Sequence, residues 1–167
     1  RPDRISVTGV DQLARDPLAQ PARLTGLSLV VAVVLFLQLL LGAWVAGLNA
    51  GLVSDTWPLM QDRFVPEYDT SRGYWWALTH DPFLLHFLHR WWAWIAVAAL
   101  VVLARRTRPI DRRASIAIHS AFGGQIILGV VTVWSGVELW VATAHQGVGA
   151  LLVAATAWGM HAVGRRA

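Results

Sequence analysis

Cysteine is absent from this chain. That excludes disulfides, iron–sulfur clusters and zinc–thiolate sites as sources of structure or chemistry. Lysine is absent too, so all 14 basic residues are arginine. Charge of either sign is scarce, 14% of 167 residues against 56% hydrophobic, and the mean hydropathy is +0.49. Ordinary soluble domains carry about 25% charged residues, so the composition points away from that class. A sequence pI near 11.0 is shared with nucleic-acid binders. Here, however, the arginines lie between apolar runs rather than on a polar, groove-fitting surface, and no nucleic acid is expected as a partner. Position 1 is Arg and the first methionine is Met60, so the chain is expected to be a processed chain or the remainder of a longer one. Residues 1–20 are polar and lack the apolar stretch of a signal peptide.

What the chain does have is four apolar runs, at about residues 23–48, 83–104, 114–134 and 139–163. Each has roughly 20–26 residues, enough as a helix to cross about 30 Å of hydrocarbon. None carries the charged stripe that a helix of a soluble bundle needs. The expected fold is an all-α membrane protein, a four-transmembrane-helix bundle over residues 23–163. Residues 1–22 read as a linker, 49–82 as an outer loop and 164–167 as a tail.

The connections orient the bundle. Arg105, Arg106, Arg108, Arg112 and Arg113 fall between the second and third runs, and Arg165 and Arg166 close the chain. The loop 49–82 carries Asp55, Asp62, Glu67, Asp69 and Asp81 against Arg63 and Arg72. By the positive-inside rule both termini and the arginine loop are cytoplasmic, and the acidic loop faces outward. Tryptophans 75, 76, 91, 92, 134 and 140 fall near the outer ends, as an interfacial aromatic belt would.

A weak internal repeat links the first and third runs. LQLLLGAWVAG (37–47) aligns with GQIILGVVTVW (124–134), matching Gln38 and Gly42 to Gln125 and Gly129. Each of these runs is followed by a run with a histidine near its start, His89-Arg90 and His145-Gln146. His89 lies about seven residues beyond Pro82, roughly 10 Å into its helix, and His145 about six beyond Leu139, roughly 9 Å into its own. Two imidazoles at one depth on repeat-equivalent helices can ligate a haem iron from both sides. Alternatively, each bonds a backbone carbonyl or a neighbouring side chain. His86 is one turn outward from His89; it either touches a porphyrin edge or propionate, or contacts water at the interface. Arg90 at this depth calls for an anionic partner: a propionate, Asp81 or Asp55. His119 and His161, near the opposite ends of their helices, read either as a second bis-histidine pair or as interfacial histidines, the latter favoured because His161 is so near the chain end. His80 reads as a loop residue. The glutamines and glycines of the repeat, with Gly123 and Gly124, read as packing features. In NAGLVSDTWPLM (49–60), Asn49 and Gly51 stop the first helix, and the loop could cover a site beneath it.

Taken together, GAWVAGLNAG, then DTWPLM, HR at the head of a helix, Gln-x-x-x-Gly and HQ resemble the C-terminal half of heme A synthase of the proteobacterial and mitochondrial type, over about residues 23–163. The resemblance implies half of an eight-helix, pseudo-symmetric fold in the cell inner membrane. That family oxidises a methyl group of haem O to formyl, making haem A for cytochrome oxidase. It also implies that this half holds a haem b relaying electrons, with His89 and His145 as axial ligands and with Arg90 and His86 beside the cofactor. The partners implied are an N-terminal four-helix half carrying the substrate haem, the enzyme that supplies haem O, and membrane lipid; a homo-oligomer is compatible. The substrate half of the family has a glutamate three residues before its first histidine. Here that position is His86, so no catalytic residue is expected in this chain. The rival readings are a stand-alone bis-histidine cytochrome b that carries electrons, and a structural membrane subunit without a cofactor.

Overall fold

The computed structural model describes residues 21–166, so most of the expected linker lies outside the described residues. The described chain is all helix and loop: α1 (Gly26–Gly47), a single 3-10 turn (Ala50–Val53), α2 (Tyr74–His80), α3 (Pro82–Thr107), α4 (Arg112–Trp134) and α5 (Leu139–Gly164). Four of these, α1, α3, α4 and α5, are long and apolar enough to cross a membrane. Their flanks carry Phe36, Ile127 and Leu151, each more than 60% exposed. Such surface suits lipid, not water.

Side-chain oxygens start all four long helices, each accepting from orphan N–H groups of the first turn. Thr25 caps α1 through Ser28 N, Asp81 caps α3 through Leu84 N, Asp111 caps α4 through Arg113 N and Ala114 N, and Glu138 caps α5 through Trp140 N and Val141 N. Pro82 follows the Asp81 cap, where its missing N–H costs nothing. Asn49, just beyond α1, takes the left-handed conformation with φ 52° and turns the chain into the 3-10 segment. The short helix α2 lies inside the stretch expected to be loop, and His80 is its last residue rather than a loop residue. Trp44 Nε1 ties it to α1 by donating to Thr79 O at 3.0 Å.

The helices pack as two pairs, α1 with α3 and α4 with α5, and α3 joins the pairs by touching both α4 and α5. The apolar core sits at one end only. Val31, Leu35, Leu100, Leu103, Ala104, Ile118, Leu152 and Ala155 form it, all in the halves of their helices nearest the arginine loop. There the helices approach closely: a Cβ on Gly159 would stand 2.6 Å from Ile118 Cδ1. At the other end the 49–81 segment closes over the bundle, with Ala50, Met60 and Ala77 fully buried. Gly51 rests on the α4–α5 turn so tightly that a Cβ would meet Val137 Cγ2 at 2.9 Å. Between core and cap, α1, α4 and α5 bury no hydrophobic side chain over residues 36–47, 119–132 and 139–151. The histidines occupy that intermediate layer.

Candidate functional site

The caps set the helical phase of the two histidine-bearing helices. Asp81, only 6% exposed, holds Leu84 N at 2.8 Å and Asp69 N at 3.0 Å, which anchors the start of α3 to the loop. His89 then faces α1. Its Nδ1 lies 3.1 Å from Gln38 Nε2, which also donates to His89 O at 3.3 Å. Trp92, one turn on, donates from Nε1 to Val34 O at 3.0 Å and so pins α1 to α3 just beside Gln38. On the other pair, Gln125 Nε2 donates to His145 O at 2.6 Å. Gly42 and Gly129 complete the parallel. A Cβ on Gly42 would stand 3.0 Å from His89 Cε1, and one on Gly129 3.4 Å from His145 Cε1. Each imidazole thus brings its Cε1 close to a neighbouring helix where only hydrogen stands on the backbone.

Among the described residues neither His89 Nε2 nor His145 Nε2 makes a hydrogen bond, whereas Gln38 Oε1, His86 Nδ1 and His145 Nδ1 are buried without a partner. This donor set fits an iron porphyrin. It offers two imidazole nitrogens without hydrogen-bond partners among the described residues, and a glycine beside each ring.

The structure brings His86 and Arg90 together beside this layer. One turn apart on α3, they bond through Arg90 Nε and His86 Nε2 at 2.9 Å. His86 is 3% exposed, so it is not the water-contacting histidine that one sequence reading allowed. Of the anionic partners expected for Arg90, neither Asp81 nor Asp55 pairs with it; its guanidinium donates to Thr56 O at 2.7 Å and Ser54 O at 3.1 Å. Two loop carbonyls and an imidazole nitrogen satisfy the cation and fasten the NAGLVSDTWPLM loop to α3. Outside the spans, the N–H of Ser71 holds the Asp69 carboxyl below the usual carboxylate range. The N–H groups of Ala114 and Arg113 do the same for Asp111.

The remaining histidines, His119 at the core-side edge of this layer among them, have other surroundings. His119 Nδ1 bonds Ser115 O at 2.8 Å and packs on Phe122. His161 lines a cavity of about 180 Å³ with Arg23, Ser28 and Met160, toward the arginine-loop end. His80 bonds Thr79 Oγ1 at 2.7 Å and stacks on Trp76. Gln38, Gln125, Gly42 and Gly129, read from sequence as packing residues, prove to be the histidines' immediate neighbours. The signal that carries them is the repeat itself, in which Gln-x-x-x-Gly precedes each histidine helix.

Residues 5–157 match the model of the cytochrome oxidase assembly protein family. The heme A synthase of Erythrobacter litoralis is 64% identical over 153 residues, covering 92% of this chain and 45% of that protein. That of Sphingopyxis alaskensis is 59% identical over 156 residues, covering 92% and 44%. That of Novosphingobium aromaticivorans is 50% identical, covering 95% and 48%. The chain thus spans about half the length of the curated relatives it matches. No solved structure is a significant match.

Proposed function

The chain belongs to the cytochrome oxidase assembly protein family, and from that premise we propose that it is the haem b-binding half of a heme A synthase. The whole enzyme would oxidise a methyl group of haem O to formyl. This half would relay electrons, and an N-terminal four-helix half would carry the substrate haem. The observation that supports the reading best is the pair of Nε2 atoms, on His89 and His145, that make no hydrogen bond among the described residues, at a level where α1, α4 and α5 have no fully buried hydrophobic side chain.

His89 and His145 are the axial ligands in this reading. Bound there, haem b supplies a one-electron carrier, and two imidazoles leave its iron no open position for oxygen. Gly42 and Gly129 admit the rings. Arg90 and His86 hold the loop that shuts water out from above, and they flank the edge of the site where propionates would need a cation. His86 stands where the family's substrate half has a glutamate, which supports an electron-carrying role rather than an oxidising one. The acidic loop and the arginine-rich connections support placement in the cell inner membrane with both termini cytoplasmic.

The test is the visible spectrum of the purified, haem-loaded protein. The unmodified protein is expected to show low-spin haem b. His89→Ala and His145→Ala should each become high spin or lose the haem, and His119→Ala and His161→Ala should do neither. A low-spin spectrum that survived loss of His89 or His145 would overturn the ligand assignment.

A further inference from the structure

The two repeat glutamines occupy equivalent places but make unequal bonds. Gln38 reaches both the ring and the backbone of its histidine, 3.1 Å from His89 Nδ1 and 3.3 Å from His89 O, and its own Oε1 is buried without a partner. Gln125 reaches only the backbone, at His145 O, and His145 Nδ1 is left buried without a partner. One turn beyond each histidine the sequences differ. The residue four after His145 is Gly149, and a Cβ there would stand 3.1 Å from Gln125 Nε2. The residue four after His89 is Ala93, which has that Cβ.

We propose that Gln38 and Gln125 are positioning residues that hold the two histidines unequally, Gln38 through ring and backbone and Gln125 through backbone alone, with Gly149 leaving the Gln125 amide its place at the backbone. This rests on the haem reading above. An imidazole that ligates through Nε2 carries its ring proton on Nδ1, and that proton needs an acceptor. A half-turn of the Gln38 carboxamide about its last bond puts Oε1 at His89 Nδ1, where it accepts the ring proton in exchange for the amide's bond to His89 O. His145 Nδ1–H has no such acceptor. A hydrogen bond from Nδ1–H makes the ligating nitrogen more basic, which favours ferric over ferrous iron and lowers the reduction potential. His89 is therefore the firmly oriented, more basic ligand, and His145 the weaker one.

The test uses the full-length protein containing this chain, loaded with haem, and reads the midpoint potential, the low-spin electron paramagnetic resonance signal and the rate of haem loss to an acceptor. Gln38→Leu should raise the potential and speed haem loss by about 10- to 100-fold. Gln125→Leu should shift the potential less. Gly149→Ala should lift the Gln125 amide toward His145 Nδ1 and lower the potential, and this effect should vanish in the Gly149→Ala/Gln125→Leu double variant. Equal shifts from Gln38→Leu and Gln125→Leu would overturn the proposal, as would a Gly149→Ala shift that persists without Gln125. If Gln38→Leu fails to fold, the near-isosteric Gln38→Glu decides. Its carboxylate is the stronger acceptor and should lower the potential, and an unchanged potential refutes the idea. Failure of the haem reading itself looks different, because low-spin haem would then be missing from the unmodified protein or would survive His89→Ala or His145→Ala.

Discussion

Gly42 and Gly129 occupy matched places, yet adding a methyl group to each should have different consequences. A Cβ on Gly42 would lie 3.0 Å from His89 Cε1, and one on Gly129 3.4 Å from His145 Cε1. Carbon atoms in good contact sit about 3.5–4.0 Å apart, so Gly42→Ala asks the His89 ring to retreat by roughly 0.5 Å, whereas Gly129→Ala asks for almost nothing. The ring is not free to do so, since Gln38 holds Nδ1 and Trp92 ties α1 to α3 on the same flank. A forced turn away from its rotamer costs about 0.5–1.5 kcal/mol. Replacing a mid-helix glycine by alanine returns about 0.5–1 kcal/mol, so unfolding stability should change little. Ligand placement is less forgiving, because a site tolerates displacements of only about 0.5 Å. If the rotamer cost falls on cofactor binding, haem retention drops by about 2- to 10-fold. The assay is transfer of haem to an acceptor protein, followed in parallel with thermal unfolding, for both variants. Gly42→Ala should lose haem faster at nearly unchanged stability, and Gly129→Ala should behave as the unmodified protein. Equal rates for the two would show that the cradle at Gly42 does not shape the site.

Three further outcomes follow from the contacts. Arg90→Ala removes the donors to Ser54 O and Thr56 O, so a protease should cut the 49–60 loop faster while the haem stays low spin; Arg90→Lys, which lacks the planar fork, should restore little protection. A reporter fused after Ala167 should be active only in the cytoplasm, given five arginines in 105–113 against two in 49–82, and periplasmic activity would invert the topology. Asp111 has its pKa lowered by capping α4 and bonds Trp158 Nε1 at 2.9 Å. The carboxylate's contribution is therefore fully present above the unfolded value of 3.8 and is lost as pH falls through the lower folded value. Acid thermal scans should show Asp111→Asn less pH-sensitive than the unmodified protein below about pH 4, and parallel curves would exclude the cap as the source.

The sequence by itself determined the elements and their chemistry: four spans from runs of about 20–26 apolar residues, and matched histidine depths from a rise of about 1.5 Å per residue. It also carried the family resemblance. These are properties of one helix at a time, set by composition and spacing along a single axis. It did not reveal α2, because YWWALTH has the tryptophans of an interfacial belt and is too short for a helical period to stand out. It marked Gln38 and Gly42 only as a repeat, since an amide in a span can serve packing as well as it serves a ligand. It also offered Asp81 and Asp55 as partners for Arg90, because a buried cation suggests a carboxylate, when carbonyl oxygens turned inward by a loop accept from it instead. Such contacts join residues 51 positions apart, as Gln38 and His89, or 34 apart, as Arg90 and Thr56. Only the tertiary structure decides them, because which faces of α1 and α3 meet, and where the 49–81 segment folds back over them, depend on how helices pack against one another rather than on how each one forms.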